Sequence, residues 1–285
     1  MNSIKKMMLS GALGCLISGM AYADGSSPQP AKPYWQDIQV VAVNKEKPRS
    51  SFMSYADRET ALTSRFEKSP YYSLLNGTWK FFFVDSYKDL PQNITDPSVN
   101  TSSWDDITVP GNWEVQGHGV AIYTNHGYEF KPRNPQPPLL PEANPVGVYR
   151  RDIEIPAGWD NRDIYLHIGG AKSGLYVYLN GKEVGYSEDS KNPAEFLINK
   201  YLQPGKNVLT LKIFRWSTGS YLECQDFWRM SGIERDVFLW SQPKASIQDF
   251  RVVSTLDDTY TNGIFKLAVD LKNHTQETKN LNVGY

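Results

Sequence analysis

Residues 175–186 carry the pattern that most narrows the fold. Leu175, Val177 and Leu179 alternate with Tyr176 and Tyr178, the run stops at Asn180-Gly181, and Lys182 to Tyr186 follow. A period of two marks a strand with two distinct faces. Asn-Gly tolerates the two left-handed positions of a type I′ turn, so the segment predicts a tight β-hairpin. The same rhythm recurs around it. Tyr149 to Ile155 is a predicted strand ended by Pro156, and Ile164 to Ile168 alternates until Gly169-Gly170. The turn Pro204-Gly205-Lys206-Asn207 leads into Val208 to Phe214. Upstream, Asn76-Gly77 precedes the apolar run Phe81-Phe82-Phe83-Val84, which reads as a buried strand. Short strands separated by turn residues, with little helix, predict an all-β sandwich.

Three segments break the rhythm. Residues 54–68 predict one short helix or an extended crossing segment. Residues 132–145 hold six of the 18 prolines; proline lacks a ladder N–H and fixes φ, so this is an ordered or semi-rigid loop. Residues 215–236 mix Trp216, Tyr221, Phe227 and Trp228 with seven charged side chains, as a long structured loop near a site does. After Pro243 a new unit begins: Asn262-Gly263 precedes Phe265, Leu267, Val269 and Leu271, which alternate with Lys266, Ala268 and Asp270. An immunoglobulin-like sandwich takes roughly 100 residues. Residues 243–285 are therefore expected to be an incomplete one, and the chain a piece of a longer protein.

Charged residues make up 21% of the 285 and the formal net charge is −1, which gives no basis for a nucleic-acid partner or an anionic membrane surface. The 8 Trp, 17 Tyr and 12 Phe suit core packing first and stacking on sugar rings second. Lys5 and Lys6, the apolar stretch 7–20 and Ala21-Tyr22-Ala23 form a signal-peptide pattern with cleavage after Ala23, implying a periplasmic or secreted protein. Cleavage leaves 28 basic against 31 acidic residues. A lipoprotein signal at Cys15 is the alternative. The apolar stretch is too short and interrupted for a membrane span, and residues 24–33 read as a linker. With Cys15 removed, Cys224 stands alone and no internal disulfide forms. The sequons at Asn93, Asn100 and Asn273 are read as chance matches.

The chain contains no G-x-S-x-G, H-E-x-x-H, phosphate loop or G-x-G-x-x-G. His118, His126, His167 and His274 lack metal-ligand spacing and read as isolated turn or strand residues. No pair of carboxylates can be placed at glycosidase separation from sequence alone.

Several motifs in fixed order point to a family. Trp35-Gln-Asp, Leu75-Asn-Gly-Thr-Trp79-Lys-Phe, Val109-Pro-Gly-Asn-Trp113 and Gly119-Val-Ala-Ile-Tyr123-Thr-Asn125 appear in turn. Pro145-Val-Gly-Val-Tyr149-Arg-Arg and Gly185-Tyr-Ser-Glu-Asp-Ser190 follow. Last comes Arg215-Trp-Ser-Thr-Gly-Ser-Tyr-Leu-Glu-Cys-Gln-Asp226-Phe-Trp-Arg-Met-Ser-Gly-Ile-Glu-Arg-Asp-Val237. From about residue 34 onward the chain resembles the N-terminal region of the glycoside hydrolase family 2 β-galactosidases. The resemblance implies a jelly-roll (galactose-binding-like) sugar-binding domain over 34–242 and the start of an immunoglobulin-like domain over 243–285. It places the two catalytic glutamates of a retaining hydrolase in a (β/α)₈ barrel absent from this chain, so no catalytic residue is assigned. Asn125 matches an asparagine that contacts the galactosyl group, and an amide offers both donor and acceptor to sugar hydroxyls. Asp226 matches an aspartate that contacts the sugar and helps hold sodium, for which a carboxylate oxygen is a suitable hard ligand. From the residues alone, Asn125 is equally a turn-capping residue, and Asp226 is better read as a salt-bridge partner of Arg229 or Arg235. Cys224 stands where well-known members carry a second acidic residue. The full enzyme is expected to use sodium and magnesium, to act on β-galactosides and to be able to form a homo-oligomer. A β-glucuronidase or β-mannosidase, or a stand-alone carbohydrate-binding module, are the alternatives.

Overall fold

The computed structural model describes residues 32–125, 127–130 and 134–284. The signal-peptide and Cys15 readings, most of the 24–33 linker, His126 and the first proline of the 132–145 loop lie outside the described residues. Strands dominate the described part, in chain order β1 (Ala42–Val43), β2 (Tyr72–Leu74), β3 (Gly77–Val84), β4 (Asp105–Val109), β5 (Gly111–Asn112) and β6 (Ile122–Thr124). They continue as β7 (Val146–Glu154), β8 (Arg162–Ile168), β9 (Ala171–Lys172), β10 (Gly174–Leu179), β11 (Lys182–Ser187) and β12 (Ala194–Leu197). The last six are β13 (Lys206–Phe214), β14 (Phe227–Arg229), β15 (Gly232–Ile233), β16 (Val237–Pro243), β17 (Ala245–Leu256) and β18 (Gly263–Asn273). One α-helix, α1 (Arg58–Leu62), is capped by Asp57, whose carboxylate accepts from the Thr60 N–H at 2.7 Å. Residues 54–68 thus contain both things the sequence offered, a short helix inside a crossing segment.

The all-β expectation holds. A seven-stranded sheet, ordered β1-β11-β10-β13-β7-β3-β4, faces a four-stranded one, ordered β12-β8-β16-β2. All the pairings within them are antiparallel. Alternation decides what lies between them. Leu175, Val177 and Leu179 of β10 and Leu209, Leu211 and Ile213 of β13 point inward, meeting Ile164, Leu166 and Ile168 of β8 and Leu239 of β16. The opposite faces are covered too. Trp35, Trp104, Tyr176 and Phe214 form a second cluster outside the large sheet. Met53, Tyr165, Phe238 and Trp240 form a third outside the small one, beneath residues 45–68. Asn180 and Gly181 have φ of 53° and 78°, as the predicted hairpin turn requires. Asn180 also bonds the Asn207 side chain at 2.8 Å, joining this turn to the one before β13.

Close approach, not turn geometry, explains one glycine. A Cβ on Gly147, in β7, would lie 2.6 Å from the Trp113 ring and 2.7 Å from Phe81. Only a residue without a side chain lets β7 pass beneath these two rings.

The outer face of the small sheet carries a buried charge. Glu195 accepts from Arg49 Nε and Nη2, both at 2.9 Å, from Trp240 Nε1 at 3.0 Å, and faces His167 Nδ1 at 2.8 Å. His167 also stacks on Phe238 with ring centroids 4.1 Å apart, so it is a paired strand residue rather than an isolated one. Burial opposes ionisation of Glu195, but the His167 and Arg49 contacts outweigh it and hold the carboxyl below its usual range. Beyond the sandwich, β17 and β18 form a hairpin tied back through His274 Nδ1 to Asp163 at 2.7 Å and Ser50 N–H to Asp249 at 2.8 Å. Among the described residues no helix is long and apolar enough to cross a membrane.

Two outcomes are expected. Gly147→Ala overpacks the core and lowers stability by about 1–3 kcal/mol, read as a lower denaturant midpoint at unchanged slope. Glu195→Gln at pH 7 leaves Arg49 uncompensated and costs about 3 kcal/mol. Because the folded pKa of Glu195 is depressed, its contribution exists above the unfolded glutamate value of about 4.3 and is lost as pH falls through the lower folded value. The gap between variant and parent should therefore close in acid. A gap constant from pH 7 to pH 3 would contradict the assignment.

Candidate functional site

The two residues singled out by sequence meet at one end of a small ribbon. β14 pairs with β6 so that Phe227 faces Thr124, Trp228 faces Tyr123 and Arg229 faces Ile122. One step beyond this ladder the chain bends at both Asn125, which follows β6, and Asp226, which precedes β14, so the two residues flank the same end of the ribbon. Both are exposed. Among the described residues neither side chain makes a hydrogen bond or ion pair with another. In particular the salt-bridge alternative for Asp226 is not realised: Arg229 turns to the other face of the ribbon, and Arg235 packs against Gly169 and Gly170.

What lies under the ribbon is charged and enclosed. Arg229 is 1% exposed. It donates to the carbonyls of Thr124 and Glu223, each at 3.4 Å, and its Nε lies 3.9 Å from Glu129. Thr124 precedes Asn125 and Glu223 lies on the loop that ends at Asp226, so one guanidinium fixes both approaches. Glu129 in turn accepts from Trp216 Nε1 at 3.1 Å. Arg215 donates to the carbonyls of Val120 and Arg229 at 2.8 and 3.1 Å, gripping the opposite end of the ribbon. Glu223 accepts from Ser190 N–H and Oγ at 2.6 and 2.5 Å, which anchors the loop to the segment after β11. Lys172, Lys191 and Arg229 surround the Phe227 ring at 5.7, 5.2 and 5.2 Å. Burial lowers the Lys172 pKa, with Glu129 opposing.

Cys224 donates its thiol to the Gly127 carbonyl and receives Arg229 Nη2 at 3.4 Å. Burial pushes the thiol above its usual value, against the pull of Arg229. The proline-rich segment contributes through backbone and apolar contacts. The Tyr221 hydroxyl donates to the Leu139 carbonyl at 2.5 Å, and buried Asn144 bonds both the N–H and the carbonyl of Trp216. Sequence reasoning missed Arg215, Glu129 and Asn144 as supports. The charge density of 215–236 was a signal for Arg215, but nothing in the sequence pairs it with residues 114–144.

A cavity of about 320 Å³ lies elsewhere, between residues 45–53 and the small sheet. Its floor is the Arg49–Glu195–His167 group, whose charges already satisfy one another, so the ribbon end is the better site. Among the described residues no three His, Cys, Asp or Glu side chains gather as a metal cluster. Asp226 and Asn125 each carry a hard oxygen donor of the kind an alkali ion takes.

Residues 72–243 match the family model of the glycosyl hydrolases family 2 sugar binding domain. The chain belongs to glycoside hydrolase family 2. Over 252 residues this family 2 chain is 39% identical to a β-galactosidase of Priestia megaterium, covering 87% of the chain and 24% of that enzyme. A β-galactosidase of Psychromonas ingrahamii is 37% identical over 243 residues, covering 85% and 23%. The chain thus spans about a quarter of the length of these relatives. Among solved structures, a β-glucuronidase of an uncultured Clostridium superposes with a TM-score of 0.53 at 23% identity, covering 70% of this chain and 33% of that one. A β-glycosidase from Bacteroides vulgatus gives 0.53 at 22%, covering 72% and 25%. At such identities the superpositions establish the shared fold.

The half-buried Cys224 thiol gives a direct check on the loop. Alkylation of Cys224, followed on its peptide by mass, should show a rate inflecting at a pH above that of free cysteine, with the reaction at pH 8 slowed roughly tenfold per unit of upward shift. An inflection below the free-cysteine value would mean that Arg229 outweighs burial.

Proposed function

We propose that this chain is the sugar-binding part of a retaining β-galactosidase that hydrolyses terminal non-reducing β-D-galactosides. The observation that carries it is that Asn125 and Asp226, both exposed, flank the same end of a ribbon whose underside is locked by buried charges. The β-galactosidase names of the relatives support the choice of galactoside. Asn125 donates and accepts at the galactosyl hydroxyls, and Asp226 accepts from them and supplies one oxygen to a sodium ion, which when bound adds positive charge beside the sugar. Magnesium and the two catalytic glutamates belong to polypeptide beyond this chain. One carboxylate attacks the anomeric carbon and the other protonates the leaving oxygen. Residues 34–242 form the jelly-roll domain, residues 243–285 open an immunoglobulin-like domain, and a signal peptide cleaved after Ala23 sends the enzyme to the periplasm.

The experiment extends the polypeptide through the downstream reading frame and assays nitrophenyl β-glycosides with and without sodium. Galactoside cleavage is expected to exceed glucuronide and mannoside cleavage. Asn125→Ala and Asp226→Ala should each lower kcat/KM by about 10–100-fold, the loss of about 1.5–3 kcal/mol of polar contact. Sodium dependence should vanish in the second variant, and residues 1–285 alone should be inactive. Preferential cleavage of a glucuronide would move the assignment within the family. No cleavage of any glycoside would leave a carbohydrate-binding module.

A further inference from the structure

The ribbon that ends at Asn125 and Asp226 also carries two large exposed aromatics. Tyr123 and Trp228 are 54% and 53% exposed, unusual for side chains of this size on paired strands. They sit directly across the ladder, with ring centroids 5.3 Å apart and planes inclined by 51°. The residues on either side of them, Thr124 and Phe227 and then Ile122 and Arg229, turn to the enclosed face. Alternation therefore puts Tyr123 and Trp228 together on the open surface of the ribbon. On each strand the exposed polar residue at the ribbon end, Asn125 or Asp226, is two residues away in sequence, so the aromatic pair neighbours the polar pair. Among the described residues neither the Tyr123 hydroxyl nor the Trp228 indole N–H has a hydrogen-bond partner. Each ring thus presents an apolar face together with a free polar edge.

We infer that Tyr123 and Trp228 form a binding platform for the sugar ring on the leaving-group side of the scissile bond. It rests on the assignment of Asn125 and Asp226 to the galactosyl ring. Given that assignment, the neighbouring surface receives the next ring of a di- or oligosaccharide. Sugars match it chemically: their axial C–H groups pack on an aromatic face while their equatorial hydroxyls reach polar groups at its edge. Asp226 and the exposed Gln225 border the platform on its polar side. The platform favours galactosides whose leaving group is itself a sugar. It contributes nothing to substrates whose leaving group has no ring.

The test uses the enzyme extended through the downstream reading frame and compares two substrates: a β-galactosyl disaccharide and β-galactosyl fluoride, whose leaving group offers no ring. In Trp228→Ala and Tyr123→Ala, kcat/KM for the disaccharide should fall on the order of tenfold, mostly through KM. Galactosyl fluoride turnover should stay within about twofold of the parent, which also reports that the variant is folded. Trp228→Phe should recover most of the disaccharide loss; if Trp228→Ala fails to fold, this variant and Tyr123→Ala carry the comparison. Equal loss on both substrates would overturn the platform and mark the pair as packing surface for the rest of the polypeptide. No loss on either would overturn it as well. Failure of the parent itself to cleave either galactoside is a different result, which removes the galactosidase reading on which the platform rests.

Discussion

The register between β7 and β13 is the constraint on which the other features depend. Nine consecutive pairs run from Lys206 opposite Glu154 to Phe214 opposite Val146. Leu209, Leu211 and Ile213 are wholly buried as a result. A slip by one residue would turn all three away from this core to the other face of the sheet. The ladder does not stop at its last strand residue. Arg215 N–H bonds the Pro145 carbonyl at 2.9 Å and Trp216 N–H bonds Asn144 at 3.1 Å. Arg215 continues the inward set and enters the sandwich end as a buried cation, so the sheet determines where the loop carrying Asp226 begins.

Beneath the candidate site the chain spends charge where a core would use hydrocarbon. Arg215, Arg229, Glu114 and Glu129 are nearly excluded from water, and their distances are 3.7 Å for Arg215 to Glu114 and 3.9 Å for Arg229 to Glu129. Such pairs contribute little net stability, since desolvation offsets their attraction. Their donors point at backbone carbonyls of Val120, Thr124 and Glu223, which hydrocarbon could not hold. Charge here serves placement, in keeping with side chains above it that are left free to meet a ligand.

Much of this was legible beforehand because it rests on local chemistry. The Asn180-Gly181 turn, the alternation in β10 and β13, the strand after Asn76-Gly77 and the hairpin around Asn262-Gly263 all follow from turn residues and period-two patterning. The short β6–β14 ribbon was not legible. Three residues on each side give no periodicity, and their pairing spans about a hundred residues of sequence. The buried role of Arg229 was hidden for the same reason. By composition it is one of several arginines near Asp226, and only the ribbon's two faces separate the arginine underneath from the aspartate on top. Gly147 was visible as part of a motif, but its cause, the Trp113 and Phe81 rings above it, is a matter of tertiary packing.

The double hold of Arg229 has a consequence for how this end of the ribbon can change. Its guanidinium reaches the Thr124 carbonyl on one strand and the Glu223 carbonyl on the loop before the other, so a shift on either side is felt at both, like two jaws on one screw. Outer turns that touch neither this group nor its supports can be reshaped while the ribbon end stays as it is.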